Sequence, residues 1–241
     1  MNNSRKKTEG SIYVPSQSKI WDHYQNVAPE SFAGARPRIH HILRDIKHKT
    51  ESAATRILNI GAGDGYFELS AKKKGWDIAT LEPNNSTVKR LLESGISAFQ
   101  GYIEKMPFLD DQFDMVVATE VLEHLNPTQF DHGMREVVRV MDRSGYFIGT
   151  VPYKEELLRN QAVCPECGEV FHRWGHTRSF SRKSLRESLS PFFREVIVKR
   201  MAFVDVKHRR AAGKIKSLFR YLLGRFGASI SSPNIYFVAR L

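Results

Sequence analysis

Three groupings of side chains in this 241-residue chain have types and spacings suited to chemistry. The first is Glu120-Val121-Leu122-Glu123-His124. On a helix, positions 120, 123 and 124 fall at i, i+3 and i+4, so two carboxylates and an imidazole project from one side. Such donors suit a divalent ion such as Mg²⁺, Mn²⁺ or Fe²⁺, which would lower the pKa of an acceptor hydroxyl. Two alternatives need no ion: His124 as a general base oriented by Glu123, or Glu123-His124 as a packing and capping feature. The second grouping is Cys164-Pro165-Glu166-Cys167 continuing to His172 and His176. This C-x2-C-x4-H-x3-H run offers four ligands of the kind tetrahedral Zn²⁺ takes; the plainer alternative is an inert thiol pair in a loop. His176 cannot easily serve both sites. The third is Ile60-Gly61-Ala62-Gly63-Asp64-Gly65, followed some twenty residues later by Leu81-Glu82-Pro83. The glycines allow positive φ and close approach of backbone to a ligand, and Glu82 can accept two hydrogen bonds from a ribose diol.

The elements that position these residues alternate strand and helix. Arg56–Ile60, Asp77–Leu81, Ala98–Gln100, Asp114–Ala118 and Gly145–Val151 read as strands, with helices at Tyr66–Lys74, Ser86–Leu92 and Pro127–Met141. Arg194–Val204 and Ile235–Ala239 add two strands suited to an antiparallel closure. The expectation is an α/β fold: a doubly wound, mostly parallel seven-stranded sheet with an antiparallel last strand. Residues 1–19 read as a disordered tail and 20–241 as one domain. Within it, 20–50 form a helical cap, where Ile39, Ile42, Leu43 and Ile46 make an apolar stripe and a turn falls near Pro37. Residues 161–181 are a Cys/His loop insertion and 207–231 a basic helical insertion before the last strand.

From Ile57 to Pro152 the chain resembles the class I, Rossmann-like S-adenosylmethionine-dependent methyltransferases. The matching pieces run in order: Gly61-Ala62-Gly63-Asp64-Gly65, Glu82, Gly101-Tyr102-Ile103-Glu104-Lys105-Met106-Pro107-Phe108, Phe113-Asp114-Met115-Val116-Val117, Val121-Leu122-Glu123-His124-Leu125 and Ser144-Gly145-Tyr146. The resemblance implies S-adenosyl-L-methionine as cofactor, bound by Gly61, Ala62, Gly63, Asp64, Glu82, Ile103 and Thr119. Many relatives carry an acid where Tyr102 stands, so the adenine contact passes to backbone, to Glu104 or to stacking by Tyr102. A nicotinamide dehydrogenase fits less well, because Tyr66 replaces the third glycine of its fingerprint. The Glu-x-x-Glu-His pattern is similar to ubiquinone-pathway O-methyltransferases and small-RNA 3′-terminal 2′-O-methyltransferases. His176-Thr177-Arg178-Ser179-Phe180 is loosely similar to the segment that brings the RNA group a further metal-binding histidine. The resemblance thus implies Glu120, Glu123, His124 and His176 as ligands of a hard divalent ion, with the first three as catalytic residues.

Composition narrows the partners. A formal net charge of +11 favours anionic ones. Residues 207–225 carry Lys207, Arg209, Arg210, Lys214, Lys216, Arg220 and Arg225 with no acid, beside an apolar stripe of Ile215, Leu218, Phe219, Leu222, Leu223 and Phe226. A surface helix is the ordinary outcome, and peripheral contact with an anionic membrane is the functional one. No apolar run reaches the roughly 18 residues of a membrane span, and no apolar core follows the basic N-terminus as in a secretion signal, so a cytoplasmic protein is expected. The expected activity is O-methylation of a small-molecule, lipid-linked or glycan acceptor. RNA 2′-O-methylation is the runner-up, and a non-catalytic cofactor- or metal-binding module is a third possibility.

Overall fold

The structure, a computed structural model, describes residues 15–50, 55–203 and 233–241. The described residues begin with α1 (Pro15–Asp22), pass through a π turn at His23–Val27 and a 3₁₀ stretch at Pro29–Ala35, and enter α2 (Arg36–Lys49). Pro37 lies in the first turn of α2, where a missing N–H costs no intrahelical bond. Ile39, Ile42, Leu43 and Ile46 are all buried. Next come β1 (Arg56–Ile60), α3 (Tyr66–Lys72), β2 (Asp77–Glu82), α4 (Asn85–Glu93), β3 (Ser97–Gln100), β4 (Phe113–Thr119), α5 (Pro127–Val140) and β5 (Met141–Pro152). The hairpin β6 (Gln161–Val163) and β7 (Val170–His172), α6 (Arg182–Leu189), β8 (Glu195–Met201) and β9 (Asn234–Arg240) complete the order.

Helix starts follow local chemistry. Asn84 caps α4 by accepting from Thr87 N–H, and Asn126 with Gln129 forms a capping box ahead of Pro127 in α5. The seven-stranded sheet runs β3-β2-β1-β4-β5-β9-β8, and β9 lies antiparallel between β5 and β8. Because successive strand residues face opposite sides, the central strands serve two cores. Leu58, Val116, Phe147 and Phe237 pack with Met134 and Val137 of α5 and Leu185 and Leu189 of α6. Ile57, Met115, Ile148 and Val238 pack with the α2 stripe and with Phe67 and Ala71 of α3. Tyr236 of β9 donates its hydroxyl hydrogen to Asp45, tying α2 to the sheet. Gly149 stands between Ala118 and Phe237 on the flanking strands.

Two details differ from expectation. The fifth strand starts at Met141 rather than Gly145, with a register shift between Phe113 and Met115. The Cys/His segment contains a two-stranded hairpin. The expected disordered tail, apart from its last residues in α1, and the basic insertion at 207–231 lie outside the described residues. No described helix is long and apolar enough to cross a membrane.

Candidate active site

The carboxyl ends of β1, β2 and β4 open onto a cavity of about 890 Å³, where ligands bind in sheets of this winding. Gly61, Gly63 and Gly65 have φ of 80°, 54° and 84°. A side chain at Gly63 would also meet the Phe32 ring at 3.2 Å. Beneath the turn, Asn59 donates to Gly61 O at 2.9 Å and to Glu68 Oε1 at 2.6 Å, and Thr80 donates to the same oxygen at 3.2 Å. Glu68 is fully buried, and burial pushes its pKa up to about 7.

Glu82 is also buried. Its Oε2 accepts from Ala62 N–H at 2.9 Å and from Gln25 Nε2 at 3.1 Å, and its Oε1 accepts from Asn84 N–H at 2.9 Å. Asp64 pairs with Arg36 at 2.6 Å, and the Arg36 guanidinium lies 3.7 Å from the centre of the Tyr66 ring. The segment Gln17–Arg36 thus reaches the cofactor end of the cavity through Gln25, Phe32 and Arg36. All seven expected cofactor residues, Gly61, Ala62, Gly63, Asp64, Glu82, Ile103 and Thr119, line the one cavity.

At the other end, the structure corrects the helix expected at 120–124. Glu120 has φ of 55°, and only Leu122–His124 form a single 3₁₀ turn. The Glu120 carboxylate has its own partners: it accepts from Thr150 Oγ1 at 2.9 Å and from Asn234 Nδ2 at 3.0 Å, and Arg38 lies at 3.5 Å. The residues that gather are Glu123, His124 and His176, each offering one ligand atom within 4.8 Å of the others. Of the four residues expected around a hard ion, Glu120 is the one outside this group.

The hydrogen bonds of the imidazoles assign their protons. Gly175 O can only accept, so the 3.2 Å contact places a hydrogen on His124 Nδ1 and leaves the Nε2 lone pair free. His176 Nδ1 donates to Glu155 Oε2 at 2.5 Å, which frees its Nε2, 4.0 Å from Glu123 Oε1. Glu123 is 0% exposed and neither carboxylate oxygen has a hydrogen-bond partner. Burial raises its pKa well above the carboxylate range and lowers that of His124 to about 3. Two free imidazole nitrogens and a buried carboxyl without hydrogen-bond partners form a pocket that a cation fits by taking the place of the carboxyl proton.

The zinc knuckle is corrected as well. Cys164 and Cys167 flank the turn between β6 and β7, whereas His172 pairs with Gln161 at the opposite end of the hairpin. Among the described residues, the groups able to chelate are Glu123/His124/His176 and Glu155/His172/His176, neither with a cysteine. His172 is a poor ligand besides. Its Nδ1 accepts from His176 N–H at 3.1 Å, so its proton sits on Nε2, 3.4 Å from Glu155 Oε1.

Residues 58–149 match the family model described as methyltransferase domain. The chain carries a class I S-adenosylmethionine-dependent methyltransferase domain. A curated relative, an uncharacterized methyltransferase of Staphylococcus carnosus (strain TM300), is 24% identical over 115 residues, 45% of this chain and 55% of its own. The chain thus spans about half the length of the relative it matches. Solved structures share the fold of the methyltransferase domain at lower identity. A SAM-dependent methyltransferase from Archaeoglobus fulgidus is 19% identical, with 90% of this chain and 100% of that one covered and a TM-score of 0.63. The Burkholderia thailandensis 1,6-didemethyltoxoflavin-N1-methyltransferase, bound to 1,6-didemethyltoxoflavin and S-adenosylhomocysteine, is 13% identical, with 97% and 92% covered and a TM-score of 0.64.

Sequence reasoning missed Gln25, Arg38, Glu155, Gly175 and Asn234. Glu155 was the most accessible of these, standing three residues beyond the end of β5. The others reach the site only through tertiary contacts.

Proposed function

We propose that this chain transfers the methyl group of S-adenosyl-L-methionine to a hydroxyl oxygen of a small, lipid-linked or glycan acceptor, assisted by a divalent ion on Glu123, His124 and His176. The observation that carries the ion is the Glu123 carboxylate, fully buried without a donor beside two imidazoles whose free nitrogens are acceptors. Two nitrogens and one carboxylate suit Mn²⁺, Fe²⁺ or a later transition ion better than Mg²⁺. A bound ion would supply Lewis acidity that eases loss of the acceptor's proton by several kcal/mol.

The chain's own groups do the remaining work. Glu82 receives the ribose hydroxyls of the cofactor, and the glycine turn lets backbone approach its amino-acid portion. His124 and His176 border the cavity, whose lining also includes Arg38, Tyr153, Lys154, Arg159 and Trp174. That lining mixes cations with aromatic side chains, which suits an acceptor with an anionic or sugar portion. Holding acceptor and donor close and collinear accounts for much of the acceleration expected of such a transfer. The net charge of +11 keeps RNA as the second acceptor class.

Transfer of label from methyl-tritiated cofactor into lipid, glycan and RNA extracts tests this reading. Label in a lipid or glycan fraction, lost in EDTA and restored by Mn²⁺, is the expected result. Label in RNA alone would reverse the choice of acceptor, and full transfer in EDTA by metal-free protein would remove the ion.

A further inference from the structure

We propose that Glu155 is the positioning residue of this site: it holds His176 in the Nδ1–H tautomer, so that the Nε2 lone pair faces Glu123 and His124. The consequence for an ion rests on the function proposed above; the tautomer does not.

The geometry is a compact cluster in which two hydrogen bonds and one close contact join His172, Glu155 and His176. The His176 main-chain N–H donates to His172 Nδ1 at 3.1 Å, which leaves the His172 hydrogen on Nε2, 3.4 Å from Glu155 Oε1. Glu155 Oε2 accepts from His176 Nδ1 at 2.5 Å. Asn160 Nδ2 anchors Glu155 Oε1 at 2.8 Å. The two imidazoles stack with centroids 4.7 Å apart and planes 20° from parallel. Side-chain exposures are 6% for His172, 10% for Glu155 and 8% for His176, so water does not compete freely for these bonds.

Either nitrogen of a neutral imidazole can carry the hydrogen, and the partner of one nitrogen decides the state of the other. Here Glu155 can only accept, so the choice falls on Nδ1. A carboxylate behind a ligating histidine fixes its orientation and raises the basicity of the free nitrogen, and losing such a partner typically weakens metal affinity 10–100-fold. Glu155, His172 and His176 also lie within 4.8 Å of one another. They do not make a second ion site, because His172 Nδ1 is already an acceptor and ligation through Nε2 would require an imidazolate.

Two measurements on the full chain test this. Long-range ¹H–¹⁵N spectra of the metal-free protein should show His176 as the Nδ1–H tautomer in wild type and as a mixture in Glu155→Ala. A wild-type His176 with its hydrogen on Nε2, or an unchanged tautomer in Glu155→Ala, overturns the proposal whether or not any ion binds. Co²⁺ titrations followed by visible absorption address the ion. One Co²⁺ per wild-type chain is expected, with affinity reduced 10–100-fold but stoichiometry kept in Glu155→Ala and in the gentler Glu155→Gln. His172→Phe should weaken binding less. If Glu155→Ala abolishes binding while Glu123→Gln retains it, Glu155 is itself a ligand and the positioning role is wrong. Absence of Co²⁺ binding by wild type would count against the ion alone and leave the tautomer to the spectra.

Discussion

Gln25 donates its side-chain amide hydrogen to Glu82 Oε2 at 3.1 Å, on the same oxygen that accepts from Ala62 N–H. With Asn84 N–H on Oε1, three donors already occupy a carboxylate that has about four acceptor positions. On the proposed cofactor binding, a ribose diol would bring two more. One position is open, so the second hydroxyl would compete with Gln25, the one side-chain donor of the three.

Gln25→Ala should therefore bind S-adenosyl-L-methionine more tightly, by roughly fivefold if a net hydrogen bond of about 1 kcal/mol no longer has to be broken. Calorimetric titration measures this. Weaker binding would mean that Gln25 makes a better contact with the ligand than with Glu82.

Glu68 makes stability pH-dependent. Its folded pKa, about 7, lies above the ordinary 4.5, so the folded chain holds a proton that the unfolded chain gives up between those values. Stability from this group is thus complete below about pH 4.5 and declines as pH rises through 7, by on the order of 3 kcal/mol in total. Urea denaturation of wild type and Glu68→Gln in EDTA from pH 5 to 8 checks it: the difference between them should grow with pH in favour of the variant. A constant difference would show that Glu68 titrates normally.

Gly149→Ala places a Cβ 2.1 Å from Ala118 O and 2.6 Å from the Phe237 ring. Backbone of a central strand cannot yield, so a loss of roughly 3 kcal/mol or more is expected, lowering Tm by about 6–12 °C. Gly34→Ala, with nothing within 4 Å, is the control and should melt near the wild-type temperature. Equal melting of the two proteins would refute the packing account.

Glu120 and Glu123 should separate under mutation. Glu123→Gln is expected to abolish Co²⁺ binding, whereas Glu120→Gln keeps the wild-type stoichiometry because Glu120 is held by Thr150, Asn234 and Arg38. Turnover of Glu120→Gln should still fall, since Arg38 loses its ion pair at the cavity wall. Loss of the ion in Glu120→Gln would restore Glu120 to the ligand set.

The regular parts of the molecule were legible because periodicity and short-range turn chemistry decide them. Ile39, Ile42, Leu43 and Ile46 declare a buried helix face, and glycines 61, 63 and 65 ending an apolar strand declare a tight turn. Glu123 and His124 were legible as neighbours. Glu120 was expected on a helix with them, and the positive φ that keeps it out of one has no sequence signature at a glutamate. His172 and His176 looked like companions of the cysteines on spacing alone; the β6–β7 pairing, a cross-strand property, separates them. Gln25 and Glu82 meet across 57 residues, and Asn234 and Glu120 across 114, contacts that no local pattern encodes.

The pairing of β8 with β9 has a consequence for how such a catalyst diversifies. Met201 and Asn234 are already register partners, so the sheet itself holds together the ends of the segment between them. Pro233 and Asn234, where the chain returns, border the cavity. Doubling the length of a connection costs only about 0.6 kcal/mol in closure entropy. Descendants could exchange this stretch wholesale and present new surfaces to new acceptors, while the other end of the cavity, built from β1, β2 and β4 much earlier in the chain, would inherit none of the change.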